Sequence, residues 1–237
     1  MERILSEIPR FFSWTNMVYL AEAAGITLAM TALGCLIGFL LAFVIVYLRQ
    51  TPGLWALPIR IVCIVYVEVF RRIPFLVIIY LVVFFIQAVV SDISLFSIAV
   101  IAICIYATAY TAEIIRAGLE SVPPQQIEAA AAMNLGRLRT LIWISLPQAM
   151  PVIVPPAIAF AVSFIKDTAL VSQIGVFELT FRAQELNNQG YSALLVFGTV
   201  GFIYFLISYP LSRLGQILEA RLATPRSQRR LRALWQG

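Results

Sequence analysis

Residues 19–48 read YLAEAAGITLAMTALGCLIGFLLAFVIVYL, thirty positions with a single charge, Glu22. About 20 predominantly apolar residues suffice for a helix to cross a membrane's hydrocarbon core, so this stretch is read as a transmembrane helix. Four more follow: Pro74 to Val90, Leu95 to Ile115, Ala149 to Ile165, and Leu194 to Leu218. A shorter run, Ile59 to Phe70, ends at Arg71-Arg72. It is too short to span and reads as an interfacial or re-entrant segment leading into the second span. The expected fold is therefore all-α and integral to the membrane, with five transmembrane helices. Composition agrees: of 237 residues, 61% are hydrophobic and 12% charged, against about 45–50% and about 25% in soluble domains. Mean hydropathy is +0.92. Such a chain has too little polar surface to meet water on all sides.

Residues 1–18 hold Glu2, Arg3, Glu7 and Arg10 and lack the apolar core of a signal peptide. Within them, Ile8 to Trp14 reads as an interfacial anchor. The basic residues fix the orientation. Thirteen of the seventeen, Arg49, Arg60, Arg71, Arg72, Arg116, Arg137, Arg139, Arg213, Arg221, Arg226, Arg229, Arg230 and Arg232, fall on one side of the five spans. Four, Arg3, Arg10, Lys166 and Arg182, fall on the other. Positive charge stays cytoplasmic, which predicts an outside N-terminus and an inside C-terminus. Residues 1–18 are then an extracytoplasmic interfacial segment, 19–222 the transmembrane domain, and 223–237 a basic cytoplasmic tail.

Several chemistries are excluded. With no histidine, the commonest general base and metal ligand is missing. Cys35, Cys63 and Cys104 stand singly in apolar runs, without metal or redox spacing. A membrane enzyme would need nucleophile–base or metal-ligand pairs at membrane depth, and none is visible. No cofactor or metal is expected. The net charge of +5 does not point to nucleic acid, because no basic stripe lies on a polar, aromatic-interleaved surface.

Between the third and fourth spans lies residues 119–148, long for a connection with no role of its own. Pro123-Pro124 can start a helix, Gln125 to Met133 is alanine-rich, and Glu128 suits the positive end of the helix dipole. Asn134 and Gly136 are the residue types that best tolerate a left-handed helix stop. A second helical run, Arg137 to Leu146, is expected to end at Pro147. On these residues alone, the hairpin is either a plain connection or a docking element whose small Ala129–Ala132 face admits another protein.

Here a family resemblance enters. Glu128-Ala129-Ala130, the turn at Asn134, and Leu146-Pro147 resemble the EAA loop of membrane subunits of binding-protein-dependent ABC importers. In this sequence Asn134 stands at the family's Gly position, with Gly136 two residues later. Tyr66-Val67-Glu68-Val69-Phe70-Arg71 with Pro74 looks like a segment of polar amino-acid permeases (the histidine, glutamate, glutamine, arginine, lysine and opine uptake group). Glu113-Ile114-Ile115-Arg116-Ala117-Gly118 and Lys166-Asp167-Thr168-Ala169-Leu170 resemble two more, the last with Ala169 for the usual Ser. The motifs keep the family's order over essentially the whole chain. The resemblance implies a type I importer permease fold in a bacterial inner membrane, with a cytoplasmic coupling helix. It implies ATPase subunits (a dimer), a second permease subunit, identical or homologous, and an extracytoplasmic amino-acid-binding protein as partners, besides membrane lipid. ATP hydrolysis would reside in the partner, in keeping with one lysine and no phosphate-loop motif in this chain. The coupling set would be Glu128, Ala129, Ala130, Asn134, Gly136, Leu146 and Pro147. The alternatives are a permease for methionine or an anion, or a channel or scaffold without an energy source. A channel would need charge rings and no docking loop.

Charges at membrane depth are functional hypotheses by default. Lys166, Asp167 and Thr168 follow Pro151, Pro155 and Pro156, which are expected to kink the fourth span. They either line a substrate pathway, together with Tyr66 and Glu68, or form a structural bridge through Lys166. Glu68 and Glu113 are each followed three residues on by Arg71 and Arg116, the spacing of helical ion pairs. Gly34-x-x-x-Gly38 reads as a helix-packing motif. Tyr204 and Tyr209 are read either as pathway-lining or as part of an aromatic belt.

Overall fold

The structure, a computed structural model, describes residues 2–90 and 92–222, residues 2–5 by backbone only. The tail expected at 223–237, with Arg226, Arg229, Arg230 and Arg232, lies outside the described residues. The helices are α1 (Glu2–Phe11), α2 (Trp14–Arg49), α3 (Leu57–Phe70), α4 (Phe75–Val89), α5 (Leu95–Glu120), α6 (Pro124–Ala132), α7 (Arg137–Thr140), α8 (Leu146–Asp167), α9 (Leu179–Asn188) and α10 (Ala193–Leu222). Helix α2 starts earlier than hydropathy alone indicates, because Ser13 caps it by accepting the Asn16 N–H (3.5 Å). Of the expected anchor, Phe12 and Trp14 are exposed. Phe11 is instead fully buried against Leu186 and Val196, in the cluster that seats α1 on the bundle.

Four elements are long and apolar enough to cross a membrane: α2, α5, the helical run Arg137–Ile174, and α10. The fifth crossing is compound. At fifteen residues, α4 is about 22 Å long, short of a hydrocarbon core of about 30 Å. It joins α3 through a 118° bend at 71–74. Packing requires that pair to return the chain across the membrane. Gly34 of α2 lies against Ile103 of α5, and Gly38 against Ala107, so α2 and α5 run parallel. Gly118 of α5 meets Ile153 of α8, while Tyr106 meets Phe164, so α8 runs back. Helix α10 starts against Leu20 and Ala23 of α2 and then descends along α8, with Gly215 against Ile158. Five crossings leave the two ends of the described chain on opposite faces.

The α2–α5 contact is the spine. A Cβ on Gly34 would stand 2.3 Å from Ile103 Cγ2, and one on Gly38 2.7 Å from Ala107 Cβ, so only glycine lets the helices approach this far. Around this spine pack the buried residues Met30, Ile78, Ile98, Ala102 and Phe164, and towards the hairpin end Ala42, Val46, Val67, Ile115 and Ile153. The outer face is apolar too: Leu36, Leu40, Phe84, Phe85, Leu194 and Phe202 are exposed, as a lipid-facing surface should be.

Pro151, Pro155 and Pro156 do not break α8, which is one helix from Leu146 to Asp167. Nor does the second hairpin arm stop at Pro147. A π turn over Leu141–Ser145 carries it into α8, with the Leu146 N–H reaching back to the Leu141 carbonyl. A π turn displaces the regular hydrogen-bond ladder by one residue, and the proline, with no N–H to give, sits directly after it.

Candidate functional site

The hairpin is built by local rules. Pro124 opens α6 at a position where its missing N–H costs nothing. At the other end Asn134 adopts φ +55°, the one non-glycine positive φ among the described residues. Its N–H bonds the Ala131 carbonyl (2.9 Å) and the Leu135 N–H bonds the Ala130 carbonyl (3.0 Å). That pair of bonds is a Schellman stop, and asparagine is the non-glycine residue that adopts it at least cost. Gly136 does not share the left-handed role: with φ −62° and ψ 152° it is the extended residue before α7. The small face also divides. Ala129 is exposed, whereas Ala130 is fully buried, since neighbours on a helix point about 100° apart. Glu128 is exposed and makes no ion pair among the described residues, and Met133 and Leu138 present apolar side chains to the outside. Leu146 packs with Ala149 and Ile153 in the inner cluster, and Pro147 is exposed.

Above the hairpin lies an ion cluster. Glu113 of α5 is bonded by Arg116, approached by Arg49 of α2 at 3.4 Å, and has Arg71 at 3.8 Å. Arg116 also holds Glu120 at 2.5 Å. One carboxylate thus joins α2, the α3–α4 elbow and α5. The expected Glu68–Arg71 pair does not form: Glu68 bonds Arg72 one residue further on, at 2.6 Å on the exposed side. The bend turns Arg71 away to Glu113 and Tyr110, its guanidinium 5.6 Å from that ring's centroid. Tyr66 donates its hydroxyl to the Ile105 carbonyl of α5 (2.7 Å).

The candidates after α8 also separate. Lys166 and Asp167 are exposed, and Lys166 forms no ion pair among the described residues, so the expected structural bridge is absent. Thr168 is fully buried and spends its hydroxyl on the Ile165 carbonyl (2.6 Å), which removes it from a pathway surface. Below Asp167 runs a column of rings that single-residue reading passed over. Phe75, Phe164, Tyr106, Phe160 and Tyr110 follow one another at centroid distances of 4.8–6.3 Å, ending under Arg71. The i, i+4 spacing of Tyr106/Tyr110 and of Phe160/Phe164 was the available signal.

A second missed residue is Glu178, fully buried before α9. Its carboxylate accepts the Phe181 N–H (2.8 Å), the Tyr204 hydroxyl of α10 (2.9 Å) and the Thr27 hydroxyl of α2 (3.4 Å). Thr27 in turn accepts the Leu179 N–H (3.2 Å). Tyr204 is thereby assigned to this junction rather than to an aromatic belt. Burial pushes the Glu178 carboxyl above its ordinary 4.5, and the hydrogen bonds it accepts from these groups draw it partly back. A raised folded value means the stability it contributes is full below 4.5 and is lost as pH rises through the raised value. Glu178→Ala is expected to destabilise by on the order of 3 kcal/mol, because buried donors are left unpaired. Glu178→Gln should fold and lose the pH slope; thermal midpoints across pH, identical in slope for wild type and Glu178→Gln, would contradict the assignment.

Five crossings around a glycine-closed spine, with a helical hairpin on one face, define a polytopic integral membrane protein. The chain belongs to the family of binding-protein-dependent transport system inner membrane components, whose signature covers residues 58–224. It is 36% identical over 197 residues to the L-cystine transport system permease protein TcyB of Bacillus subtilis, covering 83% of both chains. It is 33% identical over 211 residues to the glutamine transport system permease protein GlnP of Escherichia coli (88% and 95%). Over 232 residues it is 32% identical to the octopine transport system permease protein OccM of Rhizobium radiobacter (93% and 92%). Among solved structures it resembles a chain of an amino acid ABC transporter crystallised with histidines, with TM-score 0.79 and 29% identity over 92% of this chain and 98% of that one. A methionine ABC transporter chain, at TM-score 0.77 and 22% identity over 90% of this chain and 100% of that one, shares the fold. The chain is a transmembrane permease subunit of an ABC importer, resident in the inner membrane.

Proposed function

We propose that the subunit carries a polar amino acid and is driven by separate ATPase subunits that dock on the α6–α7 hairpin. One observation carries the docking: an ordered hairpin that shows Glu128, without an ion pair among the described residues, the methyl of Ala129 and the bare apolar side chains of Met133 and Leu138 on its outside. Exposed apolar side chains beside an exposed charge suit a partner's groove better than open water. The coupling set is then Glu128 and Ala129 at the contact. Ala130, Asn134 and Gly136 shape the turn, and Leu146 and Pro147 join it to α8. ATP is hydrolysed by the partner. A second permease subunit completes the pathway, and an extracytoplasmic binding protein delivers the substrate. The relatives named for cystine, glutamine and octopine favour a polar amino acid. Exposed Lys166 and Asp167 offer a cation and an anion to a zwitterion, while Tyr66, Glu68, Arg71, Glu113 and Arg116 hold the elbow and α5 in place.

In this reading the hairpin face is cytoplasmic, residues 1–18 lie outside and 223–237 inside. A cysteine at Met133 tests docking and sidedness together. It is expected to crosslink to the co-expressed ATPase, and to react with a membrane-impermeant thiol reagent only in inverted vesicles. Labelling from the outside would reverse the orientation, and failure to crosslink would remove the docking role.

A further inference from the structure

We propose that Arg137 is the positioning residue that ties the coupling hairpin to α2, so that displacement of the hairpin is passed to that helix. The inference rests on the reading of the hairpin as the ATPase-docking element.

Arg137 is the first residue of α7, three positions after the left-handed turn. Its side chain crosses to the end of α2. One guanidinium nitrogen donates to Thr51 Oγ1 (2.8 Å), another to the Tyr47 carbonyl (2.5 Å), and the guanidinium carbon sits 4.3 Å from the Tyr47 ring centroid. The last carbonyls of a helix have no partner within it, and the dipole there is negative. A planar, permanently charged fork that both bonds and stacks is the side chain suited to that end. Around this contact the fit is loose. An open cleft of about 340 Å³ lies between the two elements, lined among others by Tyr47, Gln50, Ile127, Ala131, Leu135 and Arg137 itself. Close-packed contacts transmit strain and open space does not, so across this cleft the guanidinium is a strut, added to the packing of Leu141 in the cluster of Ala42 and Val46.

What lies beyond the strut makes the contact consequential. Helix α2 runs unbroken for 36 residues, is locked to α5 at Gly34 and Gly38, and at Thr27 bonds both Glu178 and the first turn of α9. A movement of the hairpin thus reaches one rigid body that extends to the opposite face. The covalent connections of the hairpin lead to α5 and α8; Arg137 adds α2.

The test uses the whole transporter, with ATPase and binding protein, in proteoliposomes, and reads substrate moved per ATP hydrolysed. Arg137→Gln is expected to lower that ratio at least about fivefold, with folded yield and ATPase co-purification unchanged. Arg137→Lys, which keeps the charge but cannot bond and stack together, should fall between. Thr51→Val and Tyr47→Leu each remove one contact, and should give partial losses in folded protein even if Arg137→Gln is poorly expressed. A merely structural role would lower yield and leave the ratio alone. An unchanged ratio in the folded Arg137 and Tyr47 variants overturns the inference. Ala129→Trp separates the two levels: if it uncouples while the Arg137 variants do not, only this inference fails. If it does not uncouple either, the docking reading fails.

Discussion

Replacing Ala129 with tryptophan is expected to abolish binding-protein-stimulated ATP hydrolysis and uptake while leaving the permease folded and inserted. Ala129 is exposed on α6, and its neighbour Ala130 is fully buried. An indole at 129 therefore adds volume only on the outward face, where, with the proposed docking, a partner's groove fitted to a methyl is overpacked. Overpacking costs about 1–3 kcal/mol, and a docking helix held off its seat loses the alignment on which coupling depends. The same residue at 130 acts differently. It has to enter the hairpin's own interior, so Ala130→Trp should lower folded yield before function is reached. Stimulated ATPase rate measured beside the monodisperse fraction after extraction distinguishes the two. Full stimulated activity in Ala129→Trp would show that α6 meets its partner elsewhere.

Gly38→Leu is expected to have the largest effect on folding itself. Its Cβ would fall 2.7 Å from Ala107 Cβ, 3.1 Å from the Thr108 nitrogen and 3.2 Å from the Cys104 carbonyl oxygen. These are backbone or backbone-attached atoms, so no rotamer change relieves them and α2 must move off α5. Every close contact along that seam loosens, including the packing of Met30, Ile103 and Ala42. Overpacking is valued at about 1–3 kcal/mol and occasionally more, and this site belongs at the upper end. Gly25→Leu is the control, since nothing lies within 4 Å of its Cβ position. Thermal midpoints and folded yield should drop for the first variant and hold for the second. Equal behaviour would mean that the α2–α5 contact does not set stability.

The spans were legible because lipid demands long apolar runs, and residues 19–48 satisfy that demand without reference to any other part of the chain. The hairpin was legible for a related reason: Pro124 and Asn134 act on their own backbone. What escaped was long-range. Glu178 reads as an ordinary loop acid, since its partners Thr27 and Tyr204 are 151 and 26 residues away. Arg71 was assigned to Glu68 by helical spacing, which assumes a straight helix; the 118° bend breaks that assumption and hands Arg71 to Glu113. The prolines of α8 predict a kink, and the helix stays continuous through all three, since in an apolar setting helical bonding elsewhere in the segment has no competing water. Thr168 looked like a pathway residue because it follows Asp167, yet a threonine hydroxyl three residues past the Ile165 carbonyl bonds that carbonyl instead. Local chemistry could be read from the sequence, whereas pairings that depend on which helices touch required the fold.

On the proposed function, this permease moves a polar amino acid at the expense of ATP hydrolysed by a docked partner. The most direct measurement is uptake of labelled amino acids into proteoliposomes that hold the permease with its ATPase and receive the cognate binding protein. The expected result is accumulation of one or a few polar amino acids against a gradient, dependent on ATP and on the binding protein, and abolished by Ala129→Trp. Equilibration without ATP, or ATP-driven uptake that excludes amino acids, would contradict it.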